Sequence, residues 1–249
     1  MGDLTAPDFL ANRDGIRLAY RRAEGRGPGI VFLPGYASDM TGGKAVALEA
    51  WAVAQGRAFL RFDYAGCGES EGRFEDGTLE SWRDDTLDLI DHVTQGPQIL
   101  VGSSMGGWIM LLAALARPHR IAGLVGIAAA PDFTRWGFTP AQMAELDRNG
   151  LIEEFSPYGP EPTRTYRGFI EAGNRNLLLG QPIAIDCPVR LLQGQRDTAV
   201  PWANSPALAA DLRSDDVQVL LVKDGDHRLS RDQDIGLLIG TVEALLETS

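Results

Sequence analysis

The segment Gly102-Ser103-Ser104-Met105-Gly106 contains two adjacent serines between glycines. It fits the pattern G-x-S-x-G in one register only, because a valine lies two places before Ser103. This register makes Ser104 the central serine. A sharp turn between a strand and a helix exposes such a serine hydroxyl as a nucleophile. The alternative interpretation is an ordinary serine that caps the N-terminus of the helix.

A reactive serine needs a neighbouring base, and the chain has three histidines. His92 lies on the polar face of a predicted helix, and His119 follows a proline at a helix end. His227 lies in the loop KDGDHRLS, directly after the last predicted strand. This places it at the carboxyl edge of the sheet, where Ser104 also lies. Position and elimination together favour His227 as the base.

A carboxylate must orient this base and stabilise its charged form. Asp197 is the preferred candidate, because it directly follows the penultimate predicted strand and precedes a helix. Asp132, which follows the predicted strand before that one, is the alternative. Asp224 and Asp226 lie too close to His227 in sequence, and we interpret them as loop caps.

Ser104, Asp197 and His227 then occur in the chain order that is typical of the α/β-hydrolase fold. Such a site also needs two backbone N–H donors for the oxyanion of the tetrahedral intermediate. We assign one donor to Met105, the residue after the serine. We assign the other to Tyr36, in the loop LPGYASD that follows a predicted strand. The alternative for this loop is a plain turn made by its proline and glycine.

These residues require a scaffold, and the hydrophobic pattern predicts one. Strands are predicted at 15–20, 29–35, 58–64, 98–103, 121–129, 187–194 and 217–222. Helices are predicted at 42–55, 78–93, 105–117, 202–212 and 231–247. Strands that alternate with helices indicate an α/β fold with a mostly parallel sheet and helices on both faces. We expect residues 1–249 to form one domain.

Residues 133–180 interrupt this alternation, and we predict a helical lid inserted between two core strands. The aromatic residues of the lid either pack it onto the domain or line a groove for an acyl chain: Trp136, Phe138, Phe155 and Tyr158. Its arginines either bind a carboxylate of the substrate or are ordinary surface charges: Arg135, Arg164 and Arg167.

Composition excludes several functions. The formal net charge is −11, which disfavours binding to nucleic acid or to anionic membranes. No sequence segment approaches the ~18 apolar residues of a membrane span, and no cluster of metal ligands is visible. We predict that Cys67 and Cys187 are free thiols. The N-terminus has no leader-like pattern, which predicts a cytoplasmic protein, either a monomer or a homodimer.

Five segments, in order from residue 32 onward, resemble a known family. They are FLPGYASDMTGGKA, LRFDYAGCGESEG, PQILVGSSMGGW, CPVRLLQGQRDTAVPW and DGDHR. They are similar to segments of α/β-hydrolase domain proteins. In particular, they resemble the mitochondrial palmitoyl-protein thioesterases that also hydrolyse mycophenolic acid acyl-glucuronide. The resemblance is weakest in the lid.

The resemblance implies cleavage of acyl esters and removal of S-palmitoyl groups. It assigns the same triad of Ser104, Asp197 and His227, and it implies no metal or organic cofactor. The expected substrate is a small-molecule ester or an acylated protein. Alternative functions are a general short-chain carboxylesterase, a C–C bond hydrolase or acyltransferase on the same fold, and a non-catalytic ligand-binding relative.

Overall fold

The computed structural model describes residues 6–155 and 162–247. Its strands are β1 (Asp8–Ala11), β2 (Arg17–Ala23), β3 (Arg26–Leu33), β4 (Arg57–Phe62), β5 (Gln98–Ser103), β6 (Ile121–Ile127), β7 (Leu151–Glu154), β8 (Thr163–Tyr166), β9 (Val189–Gly194) and β10 (Val217–Val222). Its helices are α1 (Gly43–Ala54), α2 (Leu79–Val93), α3 (Met105–Ala116), α4 (Phe133–Trp136), α5 (Pro140–Asn149), α6 (Arg167–Arg175), α7 (Asn204–Asp211) and α8 (Asp232–Glu247).

Within the described residues, eight of these strands form one sheet in the order β1-β2-β4-β3-β5-β6-β9-β10. In this order, every neighbouring pair from β4 onward, through β3, β5, β6 and β9 to β10, is parallel. Strand β2 pairs antiparallel with both β1 and β4. The prediction of an α/β fold with a mostly parallel sheet is confirmed. The short strand β1 was not predicted, because its residues are mostly exposed and show no apolar run.

Helices cover both faces of the sheet, as predicted. Residues of α2 and α3 pack in one buried cluster, which includes Trp82 and Trp108. Residues of α1 and α8 pack in a second cluster on the other face, which includes Leu48 and Val242. The central strands are therefore buried on both sides, which explains their continuous apolar sequences.

The insert, which we define as residues 133–180, lies between β6 and β9. It contains α4, α5 and α6, but it also contains the antiparallel pair β7–β8. The helices of the predicted helical insert are present, but the strand pair was not predicted. Ile152 and Thr165 face each other on the buried side, while Glu153 and Arg164 pair on the exposed side. Because one face is solvated, the strands show no apolar run in the sequence.

Among residues 6–155 and 162–247, no helix combines the length and the apolar character that a bilayer crossing requires.

Candidate active site

Ser104 lies in the turn between β5 and α3. Its backbone has φ 54° and ψ −118°, a conformation that L-residues rarely adopt and that costs about 1–3 kcal/mol. Hydrogen bonds hold it in place: the N–H of Ser104 donates to the carbonyl of Ile127 at 2.9 Å. The carbonyl of Ser104 accepts from Gly107 N–H at 2.9 Å and from Ala130 N–H at 3.1 Å. The site therefore contains the strained turn expected of an exposed nucleophile.

Gly106 is required for the close packing of this turn. A Cβ atom at this position would lie 2.2 Å from the carbonyl oxygen of Leu33 and 2.5 Å from that of Pro34. Any side chain would therefore push α3 away from the end of β3. The second glycine of the G-x-S-x-G pattern thus brings the serine turn against the loop that holds Tyr36.

His227 and Asp197 are in direct contact. His227 Nδ1 lies 2.9 Å from Oδ2 of Asp197, and the Asp197 side chain is fully buried. Oδ2 also accepts a hydrogen bond from Nε2 of Gln193 at 2.9 Å. Oδ1 accepts from the backbone N–H groups of Ala199 and Val200, both at 2.8 Å. These contacts hold the carboxylate in one orientation toward the imidazole.

The electrostatics of this pair favour an ionised carboxylate. Burial acts to raise the pKa of Asp197, but the hydrogen bonds from His227 and from the two backbone N–H groups outweigh it. The pKa of Asp197 is therefore lower than that of an ordinary aspartate. A carboxylate that remains charged near neutral pH can stabilise a protonated imidazole.

The register of two neighbouring strands brings the pair together. Gly194 at the end of β9 lies opposite Val222 at the end of β10, and the loops that follow carry Asp197 and His227. A Cβ atom on Gly194 would lie 2.4 Å from the carbonyl oxygen of Gly225. The glycine therefore lets the histidine loop cross the end of β9 at close range.

Both candidate oxyanion donors belong to backbone near the serine. Met105 is the first residue of α3, and the first N–H groups of a helix have no acceptor within it. A Cβ atom on Gly35 would lie 3.5 Å from the Cβ of Ser104, so the backbone that leads into Tyr36 passes beside the serine.

The side chain of Tyr36 has a role that sequence reasoning missed. Its hydroxyl donates to the carbonyl of Arg164 in β8 at 2.9 Å. Its ring contacts the rings of Phe169 and Phe74, with centroids 4.8 and 5.3 Å away. Tyr36 thus joins the loop beside Ser104 to the insert. The sequence contains no local signal for this contact, because Tyr36 and Arg164 are far apart along the chain.

The alternative acid, Asp132, is engaged elsewhere. Its carboxylate accepts hydrogen bonds from the backbone N–H of Leu178 at 2.9 Å and of Leu179 at 2.8 Å. Asp132 therefore connects the beginning of the insert to its end. The acid in contact with His227 is Asp197. Asp226 accepts from the N–H of Arg228, as expected of a loop cap.

The remaining histidines and the two cysteines lie outside this arrangement. His92 and His119 are exposed on other elements. Cys67 and Cys187 are free thiols, as predicted. Burial raises the pKa of Cys67 to about 12 and that of Cys187 to about 11. Both thiols are therefore protonated near neutral pH and are poor nucleophiles.

The insert residues have mixed environments. Phe138 packs beside Leu146 and Ile152, whereas Phe155 is 78% exposed. Nε1 of Trp136 donates to the carbonyl of Pro131 at 3.0 Å. Tyr158 lies outside the described residues. The arginines also differ: Arg135 is exposed, Arg164 pairs with Glu153, and Arg167 pairs with Asp147.

A cavity of about 390 Å³ opens next to Tyr36. Residues Ala37, Ser38 and Asp39 form one side of it. The loop with Cys67 and the strand β8 form the others. The cavity therefore lies between the loop that follows Tyr36 and the insert.

Comparison with known proteins identifies the family to which this fold belongs. Residues 30–246 match the model of a family described as "Alpha/beta hydrolase family". The chain belongs to the alpha/beta hydrolase family. The predictions of this fold and of a hydrolase are confirmed.

Among curated members of the alpha/beta hydrolase family, the mitochondrial palmitoyl-protein thioesterase ABHD10 of Bos taurus is 43% identical over 247 residues. The match covers 98% of this chain and 81% of that protein. The same protein of Mus musculus is 45% identical over 243 residues, or 96% of this chain and 82% of its own length. The structure of mouse alpha/beta hydrolase domain-containing protein 10 superimposes with a TM-score of 0.91 at 43% identity, covering 98% of this chain and 99% of that one. The resemblance inferred from the five sequence segments is confirmed.

The prediction of the location is wrong. The cytoplasmic location expected from the N-terminus is contradicted, because these curated relatives are named as mitochondrial proteins. The physical reason is that import machinery reads an address segment, which takes no part in the folded domain. The absence of a recognisable pattern near the first residues is therefore no guide to location.

Proposed function

We propose that this hydrolase cleaves acyl thioesters and related esters through a covalent acyl-enzyme, with Ser104 as the nucleophile. The observation that carries the proposal is the contact between His227 and the buried carboxylate of Asp197. It occurs at the sheet edge where Ser104 occupies its strained turn. The names of the relatives, which are palmitoyl-protein thioesterases, support a thioester as the substrate class.

The acylation step follows from these contacts. Because Nδ1 of His227 donates to Asp197, Nε2 is left with a lone pair that can accept the Ser104 proton. The serine oxygen attacks the acyl carbonyl, and the N–H groups of Met105 and Tyr36 stabilise the resulting oxyanion. The carbon–sulfur bond then breaks, and the imidazolium returns its proton to the leaving thiolate.

Deacylation reverses these roles with water as the nucleophile. His227 removes a proton from water, the hydroxide attacks the acyl carbon, and the tetrahedral intermediate releases Ser104. The imidazolium gives the proton to the serine oxygen, and the free carboxylic acid leaves. Asp197 remains ionised throughout and stabilises each imidazolium, which agrees with its lowered pKa.

We propose that the cavity beside Tyr36 holds the leaving group of the substrate. The cavity begins at Ala37, the residue after the proposed donor Tyr36, so we infer that the leaving group of a bound substrate extends along this loop toward it. Its walls include the polar side chains of Ser38, Asp39 and Thr163. These groups suit the polar thiol-bearing part of a substrate better than an alkyl chain.

The test compares substrates that share one acyl group: a thioester, an acyl-glucuronide and an alkyl ester. Each is prepared with a short and with a long acyl chain and assayed with wild type and Ser104→Ala. We expect the long-chain thioester to give the highest kcat/KM and the Ser104→Ala variant to lose about 10⁴–10⁶ in rate. Retention of most activity in Ser104→Ala would overturn the mechanism.

Two further measurements separate the alternatives. Equal rates on all substrates, or a preference for short chains, would indicate a general carboxylesterase. Diversion of the acyl group to an added alcohol or amine would indicate an acyltransferase. A fluorophosphonate probe should label Ser104 in the wild type and leave Ser104→Ala unlabelled. Failure to label the wild type would favour a non-catalytic binding protein.

A further inference from the structure

Lys44 belongs to the sequence block SDMTGGKA, which the mechanism above does not use. The chain has 23 lysines and arginines together, and only Lys44 and Lys223 among them are lysines. Lys223 is exposed, whereas Lys44 is partly buried near the N-terminus of α1. An ammonium group is a compact donor of three hydrogen bonds, unlike the wide planar guanidinium that this chain otherwise uses.

Lys44 contacts the loop that carries the base. Its Nζ donates to the backbone carbonyl of Arg228 at 2.5 Å and to the hydroxyl of Ser230 at 3.3 Å. The carbonyl of Arg228 is one residue away from His227. Burial lowers the pKa of Lys44 to about 8, so the side chain is mostly protonated at pH 7.

The loop at this point is a tight and strained turn. Leu229 is almost completely buried and has φ 43°, which is unfavourable for a leucine. The carboxylate of Asp226 accepts from the N–H groups of Arg228 and Leu229 at 3.1 and 3.0 Å. Asp226 thus binds the backbone N–H groups of the turn, and Lys44 binds the carbonyl of Arg228.

The segment between Tyr36 and Lys44 is also anchored. Met40 lies between Tyr36 and Lys44, and its N–H donates to the buried carboxylate of Asp63 at 2.7 Å. Its carbonyl accepts from the guanidinium of Arg61 at 3.0 Å. The segment that leads from Tyr36 to α1 is therefore rigidly attached to the sheet, and Lys44 extends from it to the histidine loop.

We propose that Lys44 is a positioning residue for the catalytic base, whose ammonium group holds the Arg228 carbonyl and so fixes the place of His227 relative to Ser104. This inference rests on the proposed function. Lys44 touches neither the substrate nor the reacting atoms. It links the segment with the oxyanion donor Tyr36 to the loop with the base.

The first experiment measures kcat and KM at pH 7 for Lys44→Met, with Lys223→Met as the matched control. Methionine keeps most of the apolar stem but cannot donate a hydrogen bond. We expect kcat to fall by about 10- to 100-fold, because small displacements of a catalytic group have effects of this size. KM should change little. The rate of fluorophosphonate labelling at Ser104 should fall in parallel, and Lys223→Met should match the wild type.

The second experiment restores the amine. In Lys44→Cys, 2-bromoethylamine alkylates the new thiol: a carbon–sulfur bond forms, bromide leaves and the thiol proton passes to the buffer. The product has an ammonium group at nearly the same distance from the backbone as lysine. Because the pKa values of Cys67 and Cys187 are raised by burial, these thiols react slowly. Wild type treated in the same way controls for them.

We expect alkylation to restore most of the kcat that Lys44→Cys loses. Wild-type kcat in Lys44→Met would overturn the positioning role, as would lost activity that alkylation of folded Lys44→Cys does not recover. Ser104→Ala, assayed beside them, keeps the two proposals separate. An inactive Ser104→Ala with a fully active Lys44→Met removes only the role of Lys44, whereas an active Ser104→Ala removes the proposed function itself.

Discussion

Asp132 and Asp197 follow neighbouring strands of the sheet, β6 and β9, and both accept hydrogen bonds from backbone N–H groups. They differ in what else surrounds them. Asp197 contacts the imidazole of His227, whereas Asp132 joins the two ends of the insert. Equivalent positions after two neighbouring strands thus have different surroundings: Asp197 contacts the proposed base, and Asp132 holds the insert.

Their pKa values differ in the same way. For both residues burial is the largest influence, and it acts to raise the pKa. For Asp132 the backbone N–H groups of Leu178 and Leu179 only partly offset burial, and its pKa is raised. For Asp197 the hydrogen bond from His227, together with those from the backbone N–H groups of Val200 and Ala199, outweighs burial, and its pKa is lowered. A histidine partner, and not burial or location, distinguishes the candidate catalytic aspartate from Asp132.

The largest expected effect comes from replacing each aspartate with asparagine. Asp197→Asn should lower kcat by about 10⁴, the size of the effect when a serine protease triad loses its carboxylate. Asp132→Asn should keep kcat close to wild type, because its carboxylate is bonded to the backbone of Leu178 and Leu179 and not to His227. The measurement is kcat/KM on the preferred thioester. Equal losses in the two variants would contradict the division of roles.

The second effect concerns stability. Asp132→Ala leaves the buried N–H of Leu178 and the N–H of Leu179 without their acceptor, at a cost of about 1–3 kcal/mol for each group. Each kcal/mol should lower Tm by roughly 2–4 °C in a chain of this size. The positive φ of 60° at Asp132 also disfavours alanine.

The control for this prediction is Asp132→Asn, which tolerates the positive φ and keeps one oxygen acceptor. Its Tm should lie between those of wild type and Asp132→Ala. If thermal unfolding gave the same Tm for Asp132→Ala and wild type, the carboxylate would not be what closes the insert.

The third effect is the pH dependence of stability. Because the pKa of Asp132 is raised in the folded state, its contribution to the free energy of unfolding is fully present below the unfolded-state pKa of about 3.9. This contribution declines as pH rises through the folded-state pKa. The lowered pKa of Asp197 gives the opposite sign: its contribution is present above about 3.9 and is lost as pH falls through the folded value.

Urea unfolding from acidic to near-neutral pH tests this difference. As pH rises, the stability deficit of Asp132→Asn relative to wild type should shrink. The deficit of Asp197→Asn should grow over the more acidic part of the range. Parallel curves for the two variants would show that His227 does not lower the pKa of Asp197.

The smallest effect is expected at the contact between the active-site loop and the insert. Tyr36→Phe removes the hydrogen bond from the hydroxyl to the carbonyl of Arg164, which is worth about 0.5–1.5 kcal/mol. The backbone N–H of residue 36 is unchanged, so kcat should remain near the wild-type value. Unfolding in urea and steady-state kinetics measure the two quantities. A large loss of kcat with unchanged stability would mean that the hydroxyl acts on the substrate.

Much of the sheet and the candidate site could be predicted from local patterns. The continuous apolar sequence of β5 and the glycine spacing around Ser104 need only nearby residues for their interpretation. Asp197 is preferred over Asp132 because it directly follows the penultimate strand and precedes a helix, and the contact with His227 agrees with this ranking.

The rest depends on contacts between distant residues. The β7–β8 pair is short and half-exposed, so its pattern is weak and its pairing depends on packing against α5 and α6. The bond from Tyr36 to Arg164 and the bond from Lys44 to Arg228 join residues more than 100 positions apart. One sequence without its fold contains no signal for such pairs.

The closure of the insert by Asp132 has a consequence for evolution. Because its two ends are already clamped beside the sheet, lengthening the segment between them adds little entropic cost, about 0.6 kcal/mol for each doubling of a flexible loop. The insert can therefore gain length at little cost in loop entropy, provided that its contacts with Tyr36 and the core are kept. New substrate preferences can arise there while the loops of Asp197 and His227 remain untouched.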